Sequence, residues 1–218
     1  MRKQHIILFD LDGTLIDSTE AILESFYYAF KKHNFSFDGD DETIKQQIGY
    51  PLDKMFGTLG VDKDKVWDFV ASYKEHYREI SDKKTVLLPN ATESVKLASS
   101  FATLGVVTTK TTKYSQILLE HLGILNYFDI LIGREDVENP KPHPEPIFKA
   151  LDSLNVTPSK DIFMIGDTKL DIISAKEAGI TPIAVLCGYG TKKELEQYGC
   201  KIVTNSMEAV KLIENNIN

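Results

Sequence analysis

Two aspartates, Asp10 and Asp12, stand just beyond the apolar run Ile6-Ile7-Leu8-Phe9 and open onto Gly13-Thr14. Far downstream, Thr108 closes Leu104-Gly105-Val106-Val107. Lys141 lies in the loop after Phe128-Asp129-Ile130-Leu131-Ile132. Asp167 follows Ile162-Phe163-Met164-Ile165-Gly166, with Asp171 in the next turn of chain. These side chains are chemically complementary. Asp10, Asp12 and Asp167 offer hard oxygen ligands of the kind that suit Mg2+. Clustered without a cation they would repel one another and any incoming anion; with Mg2+ that charge is offset, and the ion can also hold a phosphate oxygen. Lys141 adds a fixed positive charge for the phosphate or for Asp10. Gly13 permits a tight turn that presents backbone amides to an anion.

Such residues act together only if the fold gathers them. The five apolar runs Ile6–Phe9, Leu104–Val107, Phe128–Ile132, Ile162–Ile165 and Ile183–Leu186 lack strict polar alternation, as parallel strands covered on both faces do. Helix signals separate them. Asn90 and Glu93, and Thr191 and Glu194, have capping-box spacing, and Gly123, Gly179 and Gly199 stand where helices end. Strands alternating with helices predict a doubly wound, Rossmann-like α/β sheet. In open sheets of this kind ligands bind beyond the carboxyl ends of the strands, where Asp10, Thr108 and Asp167 sit.

One spacing breaks the alternation. The first strand ends near Asp10 and the next convincing one begins near Leu104, far more than the roughly 30 residues of a βαβ unit. Asp17 and Glu20 have capping-box spacing before Ile22, Phe26 and Phe30, and Val66, Phe69, Val70, Tyr73, Tyr77 and Ile80 follow helical spacing. The division expected is an α/β core of residues 1–15 and 85–218 with an inserted helical domain of residues 16–84. The aromatic cluster Phe26-Tyr27-Tyr28-Phe30 reads as packing within that insert.

Composition narrows the partners. The formal net charge is -7 and no block of Lys or Arg stands out, which argues against nucleic acid or an anionic membrane surface. No apolar stretch reaches the length of a membrane span. The leading Met1–Gln4 meets only a short apolar run before Asp10, unlike a secretory signal. Cys187 and Cys200 are too few for a disulfide framework. A cytoplasmic protein is the expectation, as a monomer or a homodimer, and an anionic small substrate stays open. Plainer readings stand beside these. An Asp after a strand is often a turn or cap residue, Asp171 fits a helix cap, the strand register allows Thr109 in place of Thr108, and Lys141 fits a solvated loop.

Taken in order, Asp10-Leu11-Asp12-Gly13-Thr14, Thr108, Lys141-Pro142-His143-Pro144 and Gly166-Asp167-Thr168-Lys169-Leu170-Asp171 resemble the four motifs of the haloacid dehalogenase superfamily of phosphatases. The helical insert resembles the cap of its phosphoglycolate phosphatase-like members. The resemblance implies a role for each position. Asp10 would be the nucleophile that becomes an aspartyl phosphate. Asp12 would act as general acid and then base, with its carbonyl on Mg2+. Thr108, Thr109 and Gly13 would bind phosphate, and Lys141 would bridge Asp10 and the phosphate. Asp167 would ligate Mg2+, supported by Asp171. Ile48-Gly49-Tyr50-Pro51-Leu52 resembles the cap loop that faces the active site, which makes Tyr50 and Lys54 candidate substrate contacts. Thr109 stands where such members often carry Asn, and Cys187 where an aromatic is common, a change that bears on packing.

The implied activity is Mg2+-dependent hydrolysis of a small, phosphoglycolate-like phosphomonoester. Pyrophosphatase or nucleotidase activity on the same fold is an alternative. A β-phosphoglucomutase-like phosphomutase usually carries Glu-Asp in the fourth motif, where this chain has Gly166-Asp167. A receiver-like phospho-accepting signalling domain has neither the helical insert nor a residue placed like Asp12.

Overall fold

The computed structural model describes residues 5–217; Met1–Gln4, the start of the leading segment considered above, and Asn218 lie outside the described residues. The described chain divides into two compact units, residues 5–17 with 87–217, and Ser18–Val86. The crossings fall slightly further along the chain than the sequence division.

The strands of the first unit are β1 (His5–Phe9), β4 (Ala102–Val107), β5 (Ile130–Ile132), β6 (Ile162–Gly166), β7 (Thr181–Val185) and β8 (Lys201–Val203). Among the described residues they build a six-stranded parallel sheet in the order β5-β4-β1-β6-β7-β8. Two short strands, β2 (Ile16–Asp17) and β3 (Val86–Leu87), pair at the crossings. The continuous apolar runs are explained by burial on both faces. Ile7, Phe9, Leu104, Val106, Ile165 and Val185 pack against α5 (Ala91–Phe101), α6 (Thr112–His121) and α10 (Ser206–Ile217). Ile6, Leu8, Ile162 and Met164 face the other way, onto α7 (Glu145–Ser153) and α8 (Lys169–Glu177). Removing both faces of a strand from water at about 25 cal/mol per Å2 of apolar surface makes this layering the main stabilising term.

Several local expectations need correction. Asn90 forms no capping box: it is left-handed, with φ 64°, and its side chain caps nothing. Asp17 lies in β2, and Ser18 takes the N-cap position of α1 (Thr19–Lys32) without a side-chain cap. Phe128 and Asp129 precede β5 rather than opening it, because the Asp129 carboxylate accepts from Leu104 N–H at 3.3 Å and its own N–H donates to the Leu104 carbonyl at 2.8 Å. The edge strand β8 was not foreseen; three residues of Lys-Ile-Val carry almost no pattern. Thr191 does cap α9 (Lys192–Glu196), accepting from Glu194 N–H at 3.3 Å. Gly123, Gly179 and Gly199 have φ of 74°, 79° and 55° just beyond their helices, the left-handed geometry glycine permits there.

The second unit is helical: α1, α2 (Asp41–Lys45), α3 (Leu52–Thr58) and α4 (Val66–Lys84). Its interior is aromatic. The ring of Phe26 lies 4.5 Å from Phe56 and 5.0 Å from Tyr73, and Phe30, Phe69 and Tyr77 extend the stack. Tyr27 is exposed and donates to Asp41 at 2.7 Å, while Tyr28 stacks on His76 at 4.4 Å. No helix among the described residues is long and apolar enough to cross a membrane.

Candidate active site

The parallel register places the carboxyl ends of β1, β4 and β6 side by side, so the residues following them share one rim. Asp10 follows β1, and its N–H donates to the Ile165 carbonyl of β6 at 2.8 Å. Thr108 follows β4 and is buried, with its N–H on the Ile132 carbonyl at 2.9 Å; Thr109 is half-buried beside it. Asp167 follows β6. Lys141, distant in sequence, is brought in by a loop and is only 2% exposed. Its ammonium donates to the Val107 carbonyl at 2.9 Å and lies 2.8 Å from Asp10 Oδ1 and 2.5 Å from Asp171 Oδ1. It is not a solvated loop lysine.

Carboxylate oxygens of Asp10, Asp167 and Asp171 all lie within 4.8 Å of one another. Asp171 does cap a helix, and it also pairs with Lys141. One oxygen accepts from Thr168 N–H at 3.1 Å and Thr168 Oγ1 at 2.8 Å at the start of α8, and the other meets Lys141. Asp167 is fully buried, accepting from Tyr189 N–H at 2.7 Å and from Thr14 Oγ1 at 3.2 Å. Gly13 has φ 80°, and a Cβ there would fall 2.4 Å from Asp167 Oδ2, so the turn after Asp12 admits only glycine.

Electrostatics follow from this crowding. Burial pushes the Asp10 carboxyl up and Lys141 pulls it down, Asp171 adds to the rise, and the group stands at about 7. Burial, then Asp10 and Asp171, hold Asp167 well above the usual carboxylate range, against the Tyr189 amide and Lys141. Burial works against the Lys141 charge, yet Asp10 and Asp171 outweigh it and keep the ammonium above the ordinary lysine range.

The structure therefore brings together Asp10, Thr108, Lys141, Asp167 and Asp171. Asp12 is half-buried, and its Oδ1 lies 3.2 Å from Lys110 Nζ. Tyr50 and Lys54 belong to the helical unit, Tyr50 half-buried before α3 and Lys54 exposed on it. Several residues escaped the sequence reading. Lys110 is one, two places beyond Thr108. Thr14 is another. The third is the segment Gly188-Tyr189-Gly190 after β7: a Cβ at Gly188 would lie 2.1 Å from Asp167 Oδ2, and one at Gly190 would lie 2.1 Å from the Asp167 carbonyl oxygen. Two glycines flanking one residue at a strand end were the available signal of close backbone approach. Cys187 does more than pack. Burial, then Asp167, raise its thiol to about 11, and the protonated Sγ donates to the Gly13 carbonyl at 3.4 Å.

The family model of haloacid dehalogenase-like hydrolases matches residues 7–185, and the chain belongs to that family. It is 35% identical over 204 residues to the pyrophosphatase PpaX of Halalkalibacterium halodurans, covering 92% of each chain. It is 31% identical over 210 residues to a phosphoglycolate phosphatase of Colwellia psychrerythraea, covering 91% of this chain and 92% of that one. Among solved structures, a haloacid dehalogenase-like family hydrolase from Streptococcus pneumoniae superposes with TM-score 0.86 at 32% identity, covering 95% of this chain and 97% of the other.

Proposed function

We propose that this protein is a Mg2+-dependent phosphohydrolase that moves the phosphoryl group of a small, phosphoglycolate-like phosphomonoester first to Asp10 and then to water. The observation that carries this reading is the position of Asp10: a buried carboxylate at the end of β1, 2.8 Å from a buried lysine and grouped with two further carboxylates. Carboxylate oxygens gathered at this spacing suit a hard divalent cation, which would take Asp10 and Asp167 as ligands. In the buried cluster three carboxylates (Asp10, Asp167 and Asp171) face the one ammonium of Lys141, an excess of two negative charges when all are ionised, which one divalent ion balances. Asp10, Asp167 and the Asp12 carbonyl would hold it, with Asp171 positioning Lys141. When bound, Mg2+ supplies charge neutralisation that lets an anionic phosphoryl group approach Asp10.

The chain's own groups divide the work. A carboxylate oxygen of Asp10 forms a bond to phosphorus as the bond to the leaving oxygen breaks. Asp12 gives its proton to that leaving oxygen. Lys141, the Thr108 hydroxyl and the Thr109 amide hold the phosphoryl oxygens, and Lys141 keeps Asp10 aimed; the Gly13 amide, expected to face the anion, instead donates to the Ile16 carbonyl at 2.8 Å and closes the turn. Asp12 then takes a proton from water, whose oxygen attacks phosphorus, and Asp10 is released as a carboxylate.

A second reading, hydrolysis of pyrophosphate, is favoured by the 35% identity to a pyrophosphatase; only the leaving group differs. A phosphate-release screen across small phosphorylated metabolites and pyrophosphate, with and without Mg2+, tests both. Asp10→Asn lowers release by roughly a thousandfold or more while circular dichroism shows an unchanged fold; retained turnover removes Asp10 as nucleophile.

A further inference from the structure

Lys110 has no part in the four motifs, yet its side chain is only 11% exposed and its ammonium lies 3.2 Å from Asp12 Oδ1. Its backbone is clamped. Lys110 N–H donates to Thr108 Oγ1 at 3.2 Å, and its carbonyl accepts from Arg134 N–H at 3.0 Å. A Cβ at Gly133 would come within 2.6 Å of that carbonyl oxygen, so the turn from Thr108 to Lys110 is seated closely against Gly133. A long flexible side chain is thereby rooted in fixed backbone at the site's rim.

The two lysines stand on different aspartates. Lys141 meets Asp10, where the transferred phosphoryl group arrives, and Lys110 meets Asp12, which serves the leaving oxygen. Whatever is bonded to that oxygen must lie within a few ångströms of the Lys110 ammonium. Phosphoglycolate and pyrophosphate, the substrates in the names of two relatives, share the phosphoryl group to be transferred, and their otherwise unlike leaving groups have a negative charge in common. Glycolate carries a carboxylate two atoms from the leaving oxygen, and the leaving half of pyrophosphate is itself a phosphate. Among so many carboxylates such an anion is repelled unless a cation waits for it.

We propose that Lys110 is a specificity-determining residue that binds the negative charge of the leaving group, so that the preferred substrates are phosphate esters or anhydrides with an anionic leaving group. This rests on the phosphohydrolase reading above. Lys110 shares its donors between Asp12 and the substrate anion, holding both on the leaving side, while Lys141 serves the phosphoryl side.

The test compares kcat/KM for phosphoglycolate and for its neutral amide, phosphoglycolamide, which has nearly the same shape, in Mg2+-loaded full-length protein. The wild type favours phosphoglycolate by about ten- to a hundredfold, the worth of one charge-assisted hydrogen bond. Lys110→Met brings the ratio towards one, and Lys110→Arg keeps it well above one. Because both substrates are read on one preparation, the ratio does not depend on how much of a variant folds. A wild type with no preference for the anionic substrate, or a Lys110→Met variant that retains the wild-type ratio, overturns the assignment. A Lys110→Met variant too slow to read on either substrate leaves the decision to the wild-type ratio and to Lys110→Arg, whose loss of preference also overturns it. Wild-type turnover confined to esters with neutral leaving groups refutes the role of Lys110 and leaves the phosphohydrolase reading standing, whereas no turnover of any ester or anhydride refutes that reading itself.

Discussion

Gly188→Ala isolates the role of the segment that backs Asp167. The added Cβ would lie 2.1 Å from Asp167 Oδ2, 2.5 Å from Asp167 Cγ and 2.5 Å from the Gly13 carbonyl oxygen. Even the 3.0 Å limit of real Cβ contacts requires nearly 1 Å of movement. Asp167 has no slack, since it is fully buried and held by Tyr189 N–H and Thr14 Oγ1. The strain has two consequences. Overpacking of this kind costs about 1–3 kcal/mol, readable as a lowered urea midpoint with an unchanged m-value. With Asp167 in the role proposed above, a displacement of about 1 Å costs on the order of a hundredfold in rate, and calorimetry should show weakened Mg2+ binding alongside it. Gly57→Ala is the contrast: Gly57 sits within α3, where an added Cβ would meet nothing within 4 Å, so alanine there stabilises by roughly 0.5–1 kcal/mol. A Gly188→Ala protein with wild-type Mg2+ affinity and activity within threefold of wild type would refute the view that Asp167 is held by contact with this segment.

Two other outcomes are expected. Asp10 is raised from an ordinary 3.8 to about 7, so its folded state favours the protonated form; that contribution is complete below the unfolded value and is lost as pH rises through about 7. In chelator-treated protein, stability attributable to Asp10 falls by about 2 kcal/mol between pH 5.5 and 7.5, the difference in slope between wild type and Asp10→Asn in urea titrations; equal slopes contradict it. In the helical unit, Phe56→Ala empties a fully buried position whose ring lies 4.5 Å from Phe26 and 5.6 Å from Phe69, and denaturation should show a loss of about 3–5 kcal/mol.

What could be read from the chain alone was whatever has a one-dimensional signature. Strands covered on both faces appear as unbroken apolar runs, because neither face tolerates a polar side chain; thus β1, β4, β6 and β7 were legible to within a residue or two. A chemically active residue at the end of such a run, as with Asp10, Thr108 and Asp167, is legible because a parallel sheet sends every strand's carboxyl end to the same rim. The long helical segment between β1 and β4 was legible for the complementary reason, a spacing no single crossover fills.

The folded chain alone decided what depends on two distant backbones meeting. Lys141 and Asp171 form one ion-paired unit because a loop and a helix N-terminus converge, which no local pattern encodes. The pairing of Lys110 with Asp12 depends on the parallel register of β1 and β4, and the clasp of Gly188 and Gly190 on Asp167 on the neighbouring β6 and β7. Short-range pattern reports which face a residue needs; which other residue it meets there is set by packing across the sheet, and at this site that packing determines the charge.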